Sequence, residues 1–224
     1  MSAVDPALDA PTARTWKELA LRVDGCTVCA DLAASRTCTV PGVLVPPARA
    51  PRGRRLMLVG EAPGRQEDES GLPFVGRSGE LLDRLLAEVG VARDEVTIAN
   101  VLKCRPPDNR PPRRVEINAC RPWLERQLVL AEPDVVVALG STAVTWFFGA
   151  GARIGALRGE RVRREGYTLL ATFHPSAALR FGPRGRPMAA LREDLADAAA
   201  LLDPPSAARP PGAGGQGPAD RPSE

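Results

Sequence analysis

The stretch RLMLVGEAPGRQEDESGLPFVG, residues 55–76, changes character twice. Residues 55–60 form a short apolar run that ends in glycine, the pattern of a strand buried on both faces. The chain then turns through GEAPG. Gly60 and Gly64 permit backbone geometry that larger residues resist, and Pro63 stiffens the turn between them. A buried strand running into a tight turn opens an α/β unit. The rest of the chain repeats the theme.

SGELLDRLLAEVG (78–90) has apolar residues at helical spacing, a Ser start and a Gly stop. VTIANVLK (96–103), DVVVALG (134–140) and YTLLATF (167–173) are further strand runs. Helical patterns fall at 113–131, where Pro122 marks a potential kink, at 141–149 and at 187–202. Strands alternating with helices predict a three-layer α/β/α fold around a central four-stranded parallel sheet. Ligands of such sheets bind at the carboxyl ends of the strands. That rule brings the GEAPG turn, Asn100 and His174 to one edge, although they lie far apart in the chain.

The 224 residues suit one domain, expected at 14–202. The flanks, 1–13 and 203–224, are rich in Pro, Gly and Ala and are expected to be disordered. The net charge of +3 is mild, but the cations are almost all arginine and recur at 111–114, 158–165 and 180–186. Arginine forks suit phosphate; codon bias toward arginine explains any one cluster equally well. No apolar run is long enough to span a bilayer and no apolar signal segment opens the chain, so a cytoplasmic protein without membrane association is expected. Five cysteines, an odd number, argue against a disulfide framework.

Three polar features mark the predicted edge. Four carboxylates, Glu61, Glu67, Asp68 and Glu69, follow the first strand. Phe74 then sits on a loop, where an aromatic can stack on a flat ring or simply anchor the loop. Asn100 ends the second strand, where its carboxamide can pair with the edge of a base or cap a turn. His174 is the lone histidine, and Pro175 ends the strand there, placing the ring at a rim. Cys26 and Cys29 form a CxxC pair, with Cys104 and Cys120 downstream. These thiols suit zinc, an iron-sulfur cluster or inert burial; Cys38 is left over.

Read jointly, GEAPG, ED, GLPFVG, NVLKCRPP and HPS, with the CxxC pair upstream and Cys120 downstream, resemble the family 4 uracil-DNA glycosylases from about residue 26 to residue 202. The resemblance implies a 4Fe-4S cluster ligated by Cys26, Cys29, Cys104 and Cys120. It implies that Phe74 stacks on a flipped-out uracil, that Asn100 reads its edge, and that His174 meets its O2 side. Glu61 and Glu67 would line the pocket near the attacking water, with Gly60 and Ala62 against the base. The expected partner is uracil-containing DNA, bound by a monomer. The segment 176–186 after the histidine is expected to enter the duplex as a loop, with Ser176 at its start, Leu179 as a wedge and Arg180 on a phosphate.

The chain departs from the family pattern in places. Arg65 and Gln66 stand where the turn often carries acids, and the segment between the cysteine pair and the first strand is long and proline-rich. The loop after the second strand holds no histidine, so covalent trapping of DNA is not expected. Ala62 stands where a better-known branch has an aspartate, which shifts the burden to His174. Two other readings compete. One is a lesion-binding protein with little catalysis. The other is a nucleotide-metabolising enzyme whose GEAPG turn cradles phosphate, disfavoured by the adjacent carboxylates.

Overall fold

A computed structural model describes residue 10 and residues 12–203. Helices α1 (Trp16–Asp24) and α2 (Ala30–Ser35) precede β1 (Leu56–Gly60). There follow α3 (Arg65–Ser70), α4 (Arg77–Glu88), β2 (Val96–Asn100), α5 (Arg114–Ala131) and β3 (Val135–Leu139). The chain closes with α6 (Gly140–Phe148), α7 (Ile154–Leu157), β4 (Val162–Arg163), β5 (Thr168–Thr172), α8 (Pro175–Phe181) and α9 (Arg186–Ala200). Among the described residues no helix is long and apolar enough to cross a membrane.

The sheet has five strands in the order β2-β1-β3-β5-β4. The four expected strands are the parallel ones, and every residue in them is buried. The fifth, β4, is a two-residue antiparallel addition beside β5. It carries no apolar run because it lies at the sheet margin, where it covers an edge rather than filling a core.

Alternate strand residues face opposite layers, as strand geometry requires. Leu56, Leu58, Ile98, Val137 and Leu170 pack with α4, α8 and α9. Met57, Val59, Ala99, Val136 and Ala171 pack with α5 and α6 on the other face. A smaller cluster joins α1 to Trp123 of α5 and includes buried Ala10 and Ala13, two residues of the segment expected to be a tail. The rest of that segment, apart from residue 12, and residues 204–224 lie outside the described residues. Asp203 pairs with Arg52 at 3.2 Å.

Two segments differ from expectation. RQEDES forms α3, because the Glu67 carboxylate accepts the Gly64 N–H at 3.1 Å and stabilises its first turn. Residues 175–181 are a helix rather than a loop, capped by His174 with Pro175 in the first turn.

Candidate active site

The parallel strands end at a cleft of about 720 Å³ whose walls include Glu61, Phe74, Asn100 and His174. Gly60 and Asn100 are register partners at the ends of β1 and β2, and the Asn100 side chain reaches into the space that a side chain at residue 60 would fill. A Cβ on Gly60 would stand 2.4 Å from Asn100 Oδ1 and 2.6 Å from Phe74 Cζ. Both contacts are far inside van der Waals range; the absence of a side chain at residue 60 lets the carboxamide and the ring meet. Asn100 is 2% exposed, yet its Oδ1 has no hydrogen-bond partner among the described residues. A buried acceptor left unpaired costs about 1–3 kcal/mol, a cost that a ligand donor would remove.

Phe74 is buried, with its ring 5.5 Å from the His174 ring and tilted 31° to it. Its φ is +53°, a left-handed conformation that costs a bulky residue about 1–3 kcal/mol. The segment after it is held by Glu67, whose Oε1 accepts the Val75 and Gly76 N–H groups at 3.0 and 3.1 Å. With the Gly64 N–H on Oε2, Glu67 ties both ends of the 64–76 segment together. The next acid, Asp68, is buried and accepts the Thr37 N–H on both oxygens. Part of the acidic run is thus a set of backbone acceptors rather than a solvated loop.

Glu61 is half-buried, and its Oε2 accepts the Thr142 hydroxyl of α6 at 2.5 Å. His174 caps α8: its Nδ1 accepts the Ser176 N–H at 3.2 Å, with Ser176 Oγ 2.9 Å away. Burial pushes the imidazole down from 6.5 to about 4, with the Glu67 charge opposing. The ring is therefore neutral near pH 7, and with Nδ1 accepting, its proton sits on Nε2. Gly140, at φ +90°, brings the β3–α6 turn against this ring; a Cβ there would lie 2.9 Å from His174 Cβ.

Behind Asn100 lies a second constellation. Cys26, Cys29, Cys104 and Cys120 line one small cavity whose walls include Leu32, Trp123 and Lys103. Burial, reinforced by the neighbouring cysteines, pushes Cys29 up to about 11. Cys120 is pushed up to about 12, chiefly by burial, and Cys104 is raised for the same reason. Arg36 Nη1 stands 3.0 Å from Cys104 Sγ. Lys103 is buried and donates to Asn100 O and Gln127 Oε1. Burial lowers its pKa to about 8, against the pull of Cys120 and Cys104. Among the described residues no group of three or more His, Cys, Asp or Glu side chains is arranged to hold a metal ion. Cys38 stands apart, donating to Asp68 O at 2.8 Å.

The structure thus brings Gly60, Glu61, Ala62, Glu67, Phe74, Asn100 and His174 to one edge of the sheet, and the four cysteines to one cavity. On α8, Leu179 is half-buried against the core, while Arg180 is exposed and Phe181 is 66% exposed. Sequence reasoning passed over Phe181, though an aromatic just before a glycine in an arginine-rich segment is a usable signal. It also passed over Thr142, whose partner lies 81 residues away, and Lys103, which joins Asn100 to Gln127, 24 residues from Lys103.

A model of the uracil DNA glycosylase superfamily matches residues 47–196. The chain is 44% identical over 161 residues to the type-4 uracil-DNA glycosylase of Thermotoga maritima, covering 71% of this chain and 80% of that protein. It is 40% identical to the type-4 enzyme of Sulfurisphaera tokodaii, covering 71% and 73%. A type-5 uracil-DNA glycosylase of Pyrobaculum aerophilum is 32% identical over 193 residues, covering 74% and 84%. The chain belongs to the uracil-DNA glycosylase superfamily, on its type-4 branch.

Proposed function

We propose that this protein excises uracil from DNA by hydrolysing the bond between base and deoxyribose, leaving an abasic site. One observation carries the reading: a buried carboxamide, whose oxygen has no partner among the described residues, and an aromatic ring meet over a residue without a side chain, with a neutral imidazole 5.5 Å from that ring. The cleft offers a flat base a stacking surface on Phe74 and an acceptor on Asn100 for the N3–H of uracil. Cytosine, lacking that proton, leaves Oδ1 unpaired.

As the bond breaks, negative charge gathers on the departing base. A fixed donor aimed at O2 is worth roughly 3–4 kcal/mol there. The Nε2–H of His174 is that donor; Ser176 holds the tautomer by occupying Nδ1. The sugar acquires positive charge and must meet water. Glu61 has one oxygen engaged by Thr142, leaving the other to position that water. Glu67 is engaged by three backbone N–H groups, so its part is to shape the Phe74 loop.

The base is inaccessible within a duplex and must be flipped out, at a cost of a few kcal/mol. Exposed Arg180 would hold a phosphate, and Phe181, exposed where Leu179 is half-buried against the core, would fill the gap. Cys26, Cys29, Cys104 and Cys120 are the ligands of a 4Fe-4S cluster in this proposal. The four thiols line one cavity without the close grouping that a single metal ion needs, and an all-sulfur donor set is the chemistry of an iron-sulfur cluster, with Arg36 and Lys103 beside it to offset thiolate charge. When bound, it would cross-link the N-terminal segment, β2's exit and α5. A monomer acting in the cytoplasm on uracil-containing DNA completes the proposal.

The test is incubation of purified protein with single-stranded and duplex uracil oligonucleotides, scored for free uracil and alkali-labile sites. Iron and sulfide analysis of the same preparation tests the cluster. Binding of the oligonucleotides without base release would reduce the protein to a lesion binder.

A further inference from the structure

We propose that Arg93 is a positioning residue for the base site: its guanidinium holds Phe74 in the strained conformation that presents the ring to the base. The proposal rests on the stacking role assigned to Phe74 above. Arg93 lies in the helical turn Arg93–Glu95, just before β2. It does not line the cleft. Its Nη1 donates to Phe74 O at 2.9 Å and to Asp83 Oδ1 at 2.8 Å, and its Nη2 donates to Pro73 O. One planar fork thus binds two consecutive carbonyls and a carboxylate of α4.

The two carbonyls need such a partner. At φ +53°, Phe74 stands outside the backbone conformations that a bulky L-residue prefers. Its carbonyl is pressed onto α4 so closely that a Cβ on Gly79 would lie 1.8 Å from Phe74 O. Gly79 makes room for the peptide and Arg93 pins it there. Glu67 restrains Val75 and Gly76; Arg93 restrains Pro73 and Phe74. Without the guanidinium, relaxation of φ at Phe74 would swing the ring away from its seat over Gly60. A lysine supplies charge but not a fork, and cannot span both carbonyls and Asp83 together.

The experiment compares Arg93→Met, Arg93→Lys, Asp83→Asn and Phe74→Ala for inhibition by free uracil, for kcat and KM on a single-stranded uracil oligonucleotide, and for thermal unfolding. Arg93→Met is expected to weaken uracil inhibition by about tenfold to a hundredfold, in line with the strain it releases. Arg93→Lys and Asp83→Asn should fall between it and wild type. In Arg93→Ala, added guanidinium ion should restore uracil inhibition in part, which a merely structural role would not produce. If Phe74→Ala loses uracil inhibition and every Arg93 and Asp83 variant keeps it, whatever their melting temperatures, the positioning role is wrong. If Phe74→Ala itself keeps wild-type inhibition, the stacking assignment fails and this proposal falls with it. Should Arg93→Met not fold, Arg93→Lys and Asp83→Asn decide the matter.

Discussion

Replacing Gly60 with alanine tests the site at the point where its parts meet. The added methyl would stand 2.4 Å from Asn100 Oδ1 and 2.6 and 2.8 Å from two carbons of the Phe74 ring. The backbone does not oppose the change, since Gly60 is an ordinary strand residue outside the positive-φ set. Alanine restricts the unfolded chain, worth about 0.4–1 kcal/mol, against roughly 1–3 kcal/mol for overpacking. The net loss of about 1–2 kcal/mol leaves a domain of ordinary stability folded.

The effect on base release should be larger. Displacing the ring forfeits about 1–3 kcal/mol of stacking, and displacing the carboxamide about 1–3 kcal/mol of buried hydrogen bonding. Together these, about 2–6 kcal/mol, predict excision slowed roughly thirtyfold to twenty-five-thousandfold. The assay is single-turnover release of uracil from a single-stranded oligonucleotide, with thermal unfolding as the control for folding. In an Asn100→Ala, Phe74→Ala background the same substitution should cost less than about threefold, because the groups it displaces are gone. A folded Gly60→Ala protein that releases uracil at the wild-type rate would refute the convergence of Asn100 and Phe74 on the base.

Three further outcomes follow from other contacts. His174 titrates near 4 when folded and near 6.5 otherwise, so the unfolded chain takes up the proton first. Stability should therefore fall as pH drops from about 6.5 to about 4, by at most about 3 kcal/mol from this group, and His174→Gln should flatten that part of the pH–stability curve. Lys103→Met removes the buried donor on Asn100 O and on Gln127; a loss of about 1–3 kcal/mol in unfolding free energy, with weaker inhibition by free uracil, is expected. Phe181→Ala, at a surface position, should leave thermal unfolding nearly unchanged. It should slow excision from duplex DNA by about tenfold while sparing single-stranded DNA.

Much of the fold was legible because buried parallel strands must be apolar throughout. The runs ending at Gly60, Asn100 and Gly140, and the run before His174, therefore showed themselves without any partner in view. The carboxyl-edge rule then collected the turn, the asparagine and the histidine into one cleft, as the structure places them. Helix α3 escaped because RQEDES has no apolar periodicity; backbone capping by its own acids and burial of Asp68 make it a helix. Helix α8 escaped because a proline after an apolar run marks the end of a strand, and the same residue equally opens a helix capped by the imidazole before it. Strand β4 escaped because an edge pairing of two residues leaves no pattern to read.

By itself, then, the order of residues determined the layered sheet, the edge at which chemistry gathers, and the residue types that gather there. These depend on burial and on contacts a few positions apart, which composition and spacing record. Only the tertiary structure decided that Glu67 is bound to backbone while Glu61 meets the Thr142 hydroxyl, that Phe181 projects where Leu179 packs, and that Arg93 reaches back across the chain to Pro73 and Phe74. Those outcomes turn on which hydrogen-bond partners distant segments bring within about 3 Å, a distance that no periodicity along the chain encodes.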